Sequence, residues 1–395
     1  MIAIRVFYYM IQLIEKNSAL IQKCLLGIFV MLCFLHFFSG RPTWLDENYV
    51  LASLTEFDYK KIFGVLRYEQ AYPRIHLSVI KFISEPFNFH VYGLRIISLL
   101  SMIGAYFVWF KIYRRNIKDV LGFLLCMLAF ACSFRMVYYA AELKPYATDV
   151  LSIALFTLYI IRQNKISSRE INIYDYLSVA LLPFLNLFAY ATFFIFWIVV
   201  YNFLLLSFKD KKFIPLLVVS GLFSVLSVVA LYFTDLQHVL HSKARQNYWE
   251  SYFICSESVA CFFDTFGEGI KRLVTFWFGN IKLFVRSAVV FIPFAVFACI
   301  ICGVKSIWQN KGRITSLDAI GFVLVVVLFI FGWMHRYPFT GDRITLFFAP
   351  FAYYFIYRGL NWIPHKWLRI VMLGYFMLFC LVCLINTFIA QIRLY

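Results

Sequence analysis

Two adjacent carboxylates, Asp46 and Glu47, follow the first long apolar stretch of the chain within Arg41-Pro42-Thr43-Trp44-Leu45-Asp46-Glu47-Asn48-Tyr49. An acid held at a membrane surface can take the proton of an attacking hydroxyl. The same residues also suit a helix start, with Thr43 and Asp46 fitting a capping box and the acids facing the positive end of the helix. Cations gather at three further places. Arg74 and His76 follow Tyr72-Pro73, Glu142 and Lys144 sit in the short stretch from Tyr138 to Tyr146, and Arg336 and Arg343 share the turn His335–Arg343 with Asp342. The planar fork of arginine suits a phosphate group. The structural alternatives are snorkelling for Arg74 and His76, a local ion pair for Glu142 with Lys144, and interface anchoring for the turn at 335–343. Arg95 lies inside an apolar run, where a charge is costly, so it is expected to pair with a first-loop carboxylate or a ligand.

The elements that must position these residues are membrane helices. Of 395 residues, 63% are hydrophobic and 14% charged, against roughly a quarter charged in a soluble domain. Apolar runs fall at 20–39, 91–111, 120–138, 146–162, 176–188, 191–208, 213–233, 287–304, 317–333, 343–358 and 368–388. Backbone groups in lipid must satisfy each other, so such runs are helices. The expected fold is all-α: a polytopic integral membrane protein of about eleven transmembrane helices in a single domain over 1–395.

Short loops rich in Lys and Arg (Lys111 to Lys118, Arg162 to Arg169, Lys209 to Lys212, Lys305 to Arg313, Arg358 to Arg369) place those turns and the N-terminus in the cytoplasm. Two long loops, 40–90 and 235–286, then face outward with most of the acids, and an odd number of spans leaves the C-terminus outside. The first outer loop is expected to hold an interfacial helix started by Pro73. The first run reads as an uncleaved anchor, because no small-residue cleavage pattern follows it.

The net charge of +17 points to anionic lipid headgroups rather than nucleic acid. No phosphate loop and no GxGxxG motif is present, so a cytosolic nucleotide is not expected. Cys299, Cys302, Cys380 and Cys383 read as apolar packing residues. Cys255 and Cys261, in the second loop, are spaced for a disulfide on an oxidising face. His238 and His241 are three apart, yet no further ligand completes a metal site. No cofactor is required; a divalent metal is compatible but not indicated.

The order of these motifs resembles the GT-C glycosyltransferases. They are the Asp46-Glu47 pair, Tyr72-Pro73, Gly93-Leu94-Arg95, Glu142-Leu143-Lys144-Pro145-Tyr146, and Tyr337-Pro338-Phe339 with Arg343 before a run reaching Pro350. Within that superfamily the chain looks most like the branch of the protein O-mannosyltransferases and the bacterial lipid A aminoarabinose transferase. The resemblance spans about residues 40 to 360. It departs at Lys144, where the family often has arginine, and beside Pro73, where the family often has a further proline or a basic residue.

The resemblance implies an inverting transfer of a sugar from a polyprenyl-phosphate-linked donor to a glycan, lipid or protein acceptor. It places the reaction on the extracytoplasmic face, and the lack of a retention signal together with the compact, tail-free form points to a bacterial inner membrane. Asp46 takes the position of the general base, with Glu47 beside it. Arg343, Arg336, Lys144 and Arg74 are the candidates for the donor phosphate, and Glu142, Arg95, Tyr72 and His76 support them. Two other readings stay open. A polysaccharide ligase or polymerase would use His241, Arg245, Lys271 and Arg272 in the second loop. A transporter or lipid flippase would need midplane charges and internal repeats.

Overall fold

A computed structural model describes residues 13, 16–166, 170–239, 248–278, 286–339 and 343–392, and every element among them is helical. Six stretches among these residues are long and apolar enough to cross a membrane: Ser18–Phe38, Val91–Asn116, Tyr190–Ser207, Lys211–Leu236, Val289–Gln309 and Lys366–Ala390. Shorter apolar helices cover Val120–Cys132, Ile173–Leu187 and Leu317–Trp333. The chain is a helical membrane protein, and each of the eleven apolar runs falls on helix.

Helices are numbered α1 Ser18–Phe38, α2 Leu45–Glu56, α3 Arg74–Ser84, α4 Val91–Asn116, α5 Val120–Cys132, α6 Phe134–Tyr139, α7 Tyr146–Ile166, α8 Ile173–Leu181, α9 Phe196–Ser207, α10 Ile214–Leu231, α11 Val259–Phe278, α12 Ile292–Gln309, α13 Leu317–Trp333, α14 Ala349–Leu360 and α15 Lys366–Ile392.

Several of the apolar runs are not one continuous α-helix. The run at 120–138 splits at Ser133, whose backbone leaves the helical region (φ −67°, ψ 110°). The Ser133 hydroxyl accepts from the Met136 N–H at 3.4 Å and donates to the Trp277 carbonyl at 2.5 Å. The run at 176–188 changes from α8 to a 3-10 turn over Leu182–Leu187 at Pro183, which lacks the N–H that an α-helix needs. The run at 343–358 opens as a 3-10 turn, Arg343–Phe348, before α14.

The core lies between helices that approach closely at glycine. A Cβ on Gly359 would fall 2.1 Å from the Phe294 carbonyl oxygen, so α14 meets α12 backbone to backbone. At the end of the chain, the Thr387 hydroxyl donates to the Cys132 carbonyl at 3.1 Å. The C-terminal ends of α15 and α5 therefore lie side by side.

Both long loops are structured. In the first, α3 starts at Pro73 and buries Leu77 and Ile80 with Val50, Leu54, Leu94 and Leu143, while Phe82 is exposed. This packing against α2 and α4 gives the expected interfacial helix an apolar bed. The second was expected as a long polar outer loop. It contains the twenty-residue helix α11, whose Phe262 and Phe266 pack on Phe329 of α13. Its polar residues Asp264, Glu268, Lys271 and Arg272 recur at helical spacing along one side. Cys255 and Cys261, just before and at the start of that helix, are joined as a disulfide with a Cα–Cα distance of 5.7 Å.

Candidate functional site

Five helix ends converge where the first loop leaves α1. They are the C-terminal end of α1, the start of α4, the end of α6, the start of α7 and the 3-10 turn at Arg343. Glu47 ties most of them together. Its carboxylate accepts from Arg95 Nε at 3.0 Å and Nη2 at 2.7 Å, from the Leu143 N–H at 2.6 Å and from the Trp44 N–H at 3.3 Å. Arg41 Nη1 lies 3.8 Å away. Arg95 also donates to the Arg41 carbonyl at 2.8 Å. Both side chains are buried, at 0% and 1% exposure. A carboxylate so saturated has no lone pair to spare for a substrate proton. Arg95 thus takes the first-loop acid as partner, and that acid is Glu47.

The helix start itself differs from the Thr43–Asp46 capping box. Trp44 is the cap residue and Glu47, three positions on, returns to its N–H. Thr43 donates instead to the Asn48 side chain. Shifting the cap by one residue turns Glu47 inward and Asp46 out to the rim.

Asp46 pairs with Arg343, and both remain partly accessible, at 19% and 13%. The Arg343 guanidinium lies over the Trp44 ring, 5.2 Å from its centroid, and 6.0 Å from that of Tyr146. Beside this pair, Glu142 is buried and accepts from Trp44 Nε1 at 3.2 Å, while its Oε2 has no hydrogen-bond partner among the described residues. Burial raises the Glu142 pKa to about 7, the Glu47 carboxylate adds to the rise, and Arg41, Lys144 and Arg343 oppose it. The local Glu142–Lys144 ion pair, the structural alternative for these residues, is not formed among the described residues. Lys144 Nζ donates to Gln70 Oε1 at 2.8 Å, and burial lowers its pKa, against the pull of Asp46. Asp46, Arg343, Glu142 and Lys144 thus form one rim cluster, with Trp44 and Tyr146 as its aromatic floor.

Tyr72, Arg74 and His76 belong to a second, sealed cluster. Arg74 is 3.4 Å from Asp235, which lies in a π-helical turn, Tyr232–Leu236, and also accepts from the Tyr190 hydroxyl. Arg74 Nη1 donates to the Tyr72 carbonyl at 2.7 Å. His76 Nδ1 bonds the Phe188 carbonyl at 2.9 Å, and burial lowers its pKa to about 4. Close by in sequence to Tyr190, the Ala191 N–H donates to Asp149 at 2.9 Å. With its charge already answered by Asp235, Arg74 is placed to anchor α3 against the bundle rather than to meet a headgroup.

Arg336 is exposed on the loop after α13, and no side-chain contact among the described residues joins it to the rim cluster. Asp342, Arg169, His241 and Arg245 lie outside the described residues. The sequence reading passed over Trp44, Arg41, Asp149 and Asp235. Asp149 and Asp235 carried a readable signal, since each is an acid within or at the end of an apolar run. Trp44 did not, because a tryptophan beside a membrane is ordinarily an anchor. No protein-family model, curated protein sequence or solved structure matches the chain.

Proposed function

We propose that the protein is a GT-C-like glycosyltransferase with about eleven transmembrane helices. It moves a sugar from a polyprenyl-phosphate-linked donor to an acceptor hydroxyl on the extracytoplasmic face of a bacterial inner membrane. The observation that carries this reading is the Asp46–Arg343 pair. It joins an acid and a guanidinium about 300 residues apart in sequence at a partly accessible rim.

The chemistry follows from that pair. A donor phosphate reaching the rim competes with Asp46 for the Arg343 guanidinium. Once displaced, the carboxylate is free to accept a proton. The acceptor oxygen attacks the anomeric carbon, its proton passes to Asp46, and the bond to the phosphate oxygen breaks. The leaving lipid phosphate gains charge, which Arg343 and Lys144 stabilise. One displacement inverts the anomeric configuration. Glu47 takes no part in proton transfer, and Glu142, whose carboxyl titrates near neutral, tunes the charge of the rim.

Asp46→Asn tests the proposal. With protein folded and inserted, transfer should fall by about 10²–10⁴-fold, the range for loss of a general base. Near-normal transfer, or a product that retains the donor configuration, would sink it. A polymer in place of a single added sugar would favour the ligase or polymerase reading instead.

A further inference from the structure

Arg135 is a charged residue for which the sequence reading gave no role. It is the second residue of α6, directly after the break at Ser133. Among the described residues it has no carboxylate partner and no hydrogen bond, and its Nε is buried without one. The side chain is half-buried, so its other donors reach accessible surface. The guanidinium is held in place by aromatic rings, 4.6 Å from the Phe276 centroid and 5.7 Å from that of Phe134. Ser133, bonded to the Trp277 carbonyl, fixes α6 against the same end of α11.

A second guanidinium stands on the same side of α6. Tyr138 is three residues after Arg135 and so shares its face. Arg41 lies over the Tyr138 ring, 4.4 Å from its centroid, and donates to its hydroxyl at 3.1 Å. The two cations differ in their partners, and Arg41 also donates to the Ala141 carbonyl at 3.2 Å. Arg41 has Glu47 within 3.8 Å, whereas Arg135 has no anion from this chain among the described residues.

A guanidinium in an apolar setting needs an anion, and a lipid bilayer supplies one at its headgroup level. Arginine presents parallel donors that match a phosphate, and the aromatic clamp sets their plane in advance. We propose that Arg135, with Arg41 across Tyr138, forms a binding site for the phosphate group of a lipid headgroup at the rim between α6 and α11. The site is separate from Asp46 and Arg343. Tyr146, Tyr139 and Phe276 lie between the two, ring to ring at 5.2 and 6.2 Å. A lipid phosphate held at Arg135 would be one step along the rim from the pair at Arg343.

The test is equilibrium binding to the full chain in detergent, so it stands apart from any transfer assay. The probes are a polyprenyl monophosphate, phosphatidylglycerol, a polyprenol without phosphate, and inorganic phosphate. Arg135→Gln should weaken binding of one or both phosphate-bearing lipids by about tenfold or more and leave the polyprenol unchanged. Loss confined to the polyprenyl monophosphate identifies the site with that lipid class. Loss of both assigns it to anionic lipid in general. Arg135→Lys, which keeps the charge without the fork, should fold and still bind less tightly than the wild type. Equal binding of all probes to wild type and both variants overturns the site, as does weakening of inorganic phosphate alone. Loss of transfer in Asp46→Asn with lipid binding intact separates the two proposals.

Discussion

The rim around Asp46 and the interior cluster around Arg74 are both built from an arginine, a carboxylate and tyrosines, and both tie the first loop to the bundle. They differ in how far they are sealed. Arg74 and Asp235 are 1% and 0% exposed, and a tyrosine hydroxyl and a backbone carbonyl take up further hydrogen bonds. Asp46 and Arg343 keep 19% and 13% exposure at the meeting of five helix ends. Glu47 with Arg95, one residue away from Asp46, is of the sealed kind. A sealed pair resists both substrate and water, so it serves position. An accessible pair can exchange its partner for a ligand. Residue type alone did not separate the two kinds, since both contain Arg and Asp or Glu.

Four measurements would break or sharpen this contrast. The largest effect is expected at the sealed pairs. Arg95→Met leaves the buried Glu47 with only Arg41, 3.8 Å away, as a cation and should cost about 3–5 kcal/mol of stability, read as a large fall in thermal midpoint in detergent. Replacing both members of the other sealed pair, Arg74→Met with Asp235→Leu, should be far milder than either change alone, because no orphan charge remains. An unchanged midpoint in Arg95→Met would mean that Glu47 is not a lock, and that its role has to be sought in chemistry.

Glu142 gives the next effect, with a definite sign. Its folded carboxyl titrates near 7, above the usual carboxylate range. The folded state therefore holds a proton that the unfolded chain has already lost. Stability from this group falls as pH rises from the ordinary carboxylate range to about 7, then levels off. Glu142→Gln should flatten that slope and raise stability above neutral pH by at most about 3 kcal/mol. Thermal midpoints measured from pH 5 to 8 read this directly, and an unaltered slope in the variant would locate the titration elsewhere. The smallest effect is expected at exposed Arg336. Arg336→Ala should change stability by about 0.5 kcal/mol or less and leave lipid-phosphate binding close to wild type. A large loss of binding would return Arg336 to the phosphate site.

The sequence reading held furthest where a single physical rule governs. Apolar length and the need to satisfy backbone groups in lipid marked helix at each of the eleven runs, and six of those runs lie on stretches long and apolar enough to cross a membrane. The penalty on a lone charge marked Arg95 as paired. It failed where the answer depends on which side of a helix a residue turns. The cap at Trp44 rather than Thr43 decides that Glu47 enters the core and Asp46 stays at the rim, and a one-residue shift of that kind leaves no trace in composition. The helix α11 lies in a polar stretch read whole as loop, although Asp264, Glu268, Lys271 and Arg272 recur at helical spacing.

The sequence by itself determined that this chain is helical and membrane-embedded, because hydrophobicity acts residue by residue and needs no partner. Only the tertiary structure decided which charges meet. Asp46 with Arg343, Glu47 with Arg95 and Arg74 with Asp235 are contacts across 48 to about 300 positions of sequence, and pairing at such separation is set by how the helices pack, not by any local preference.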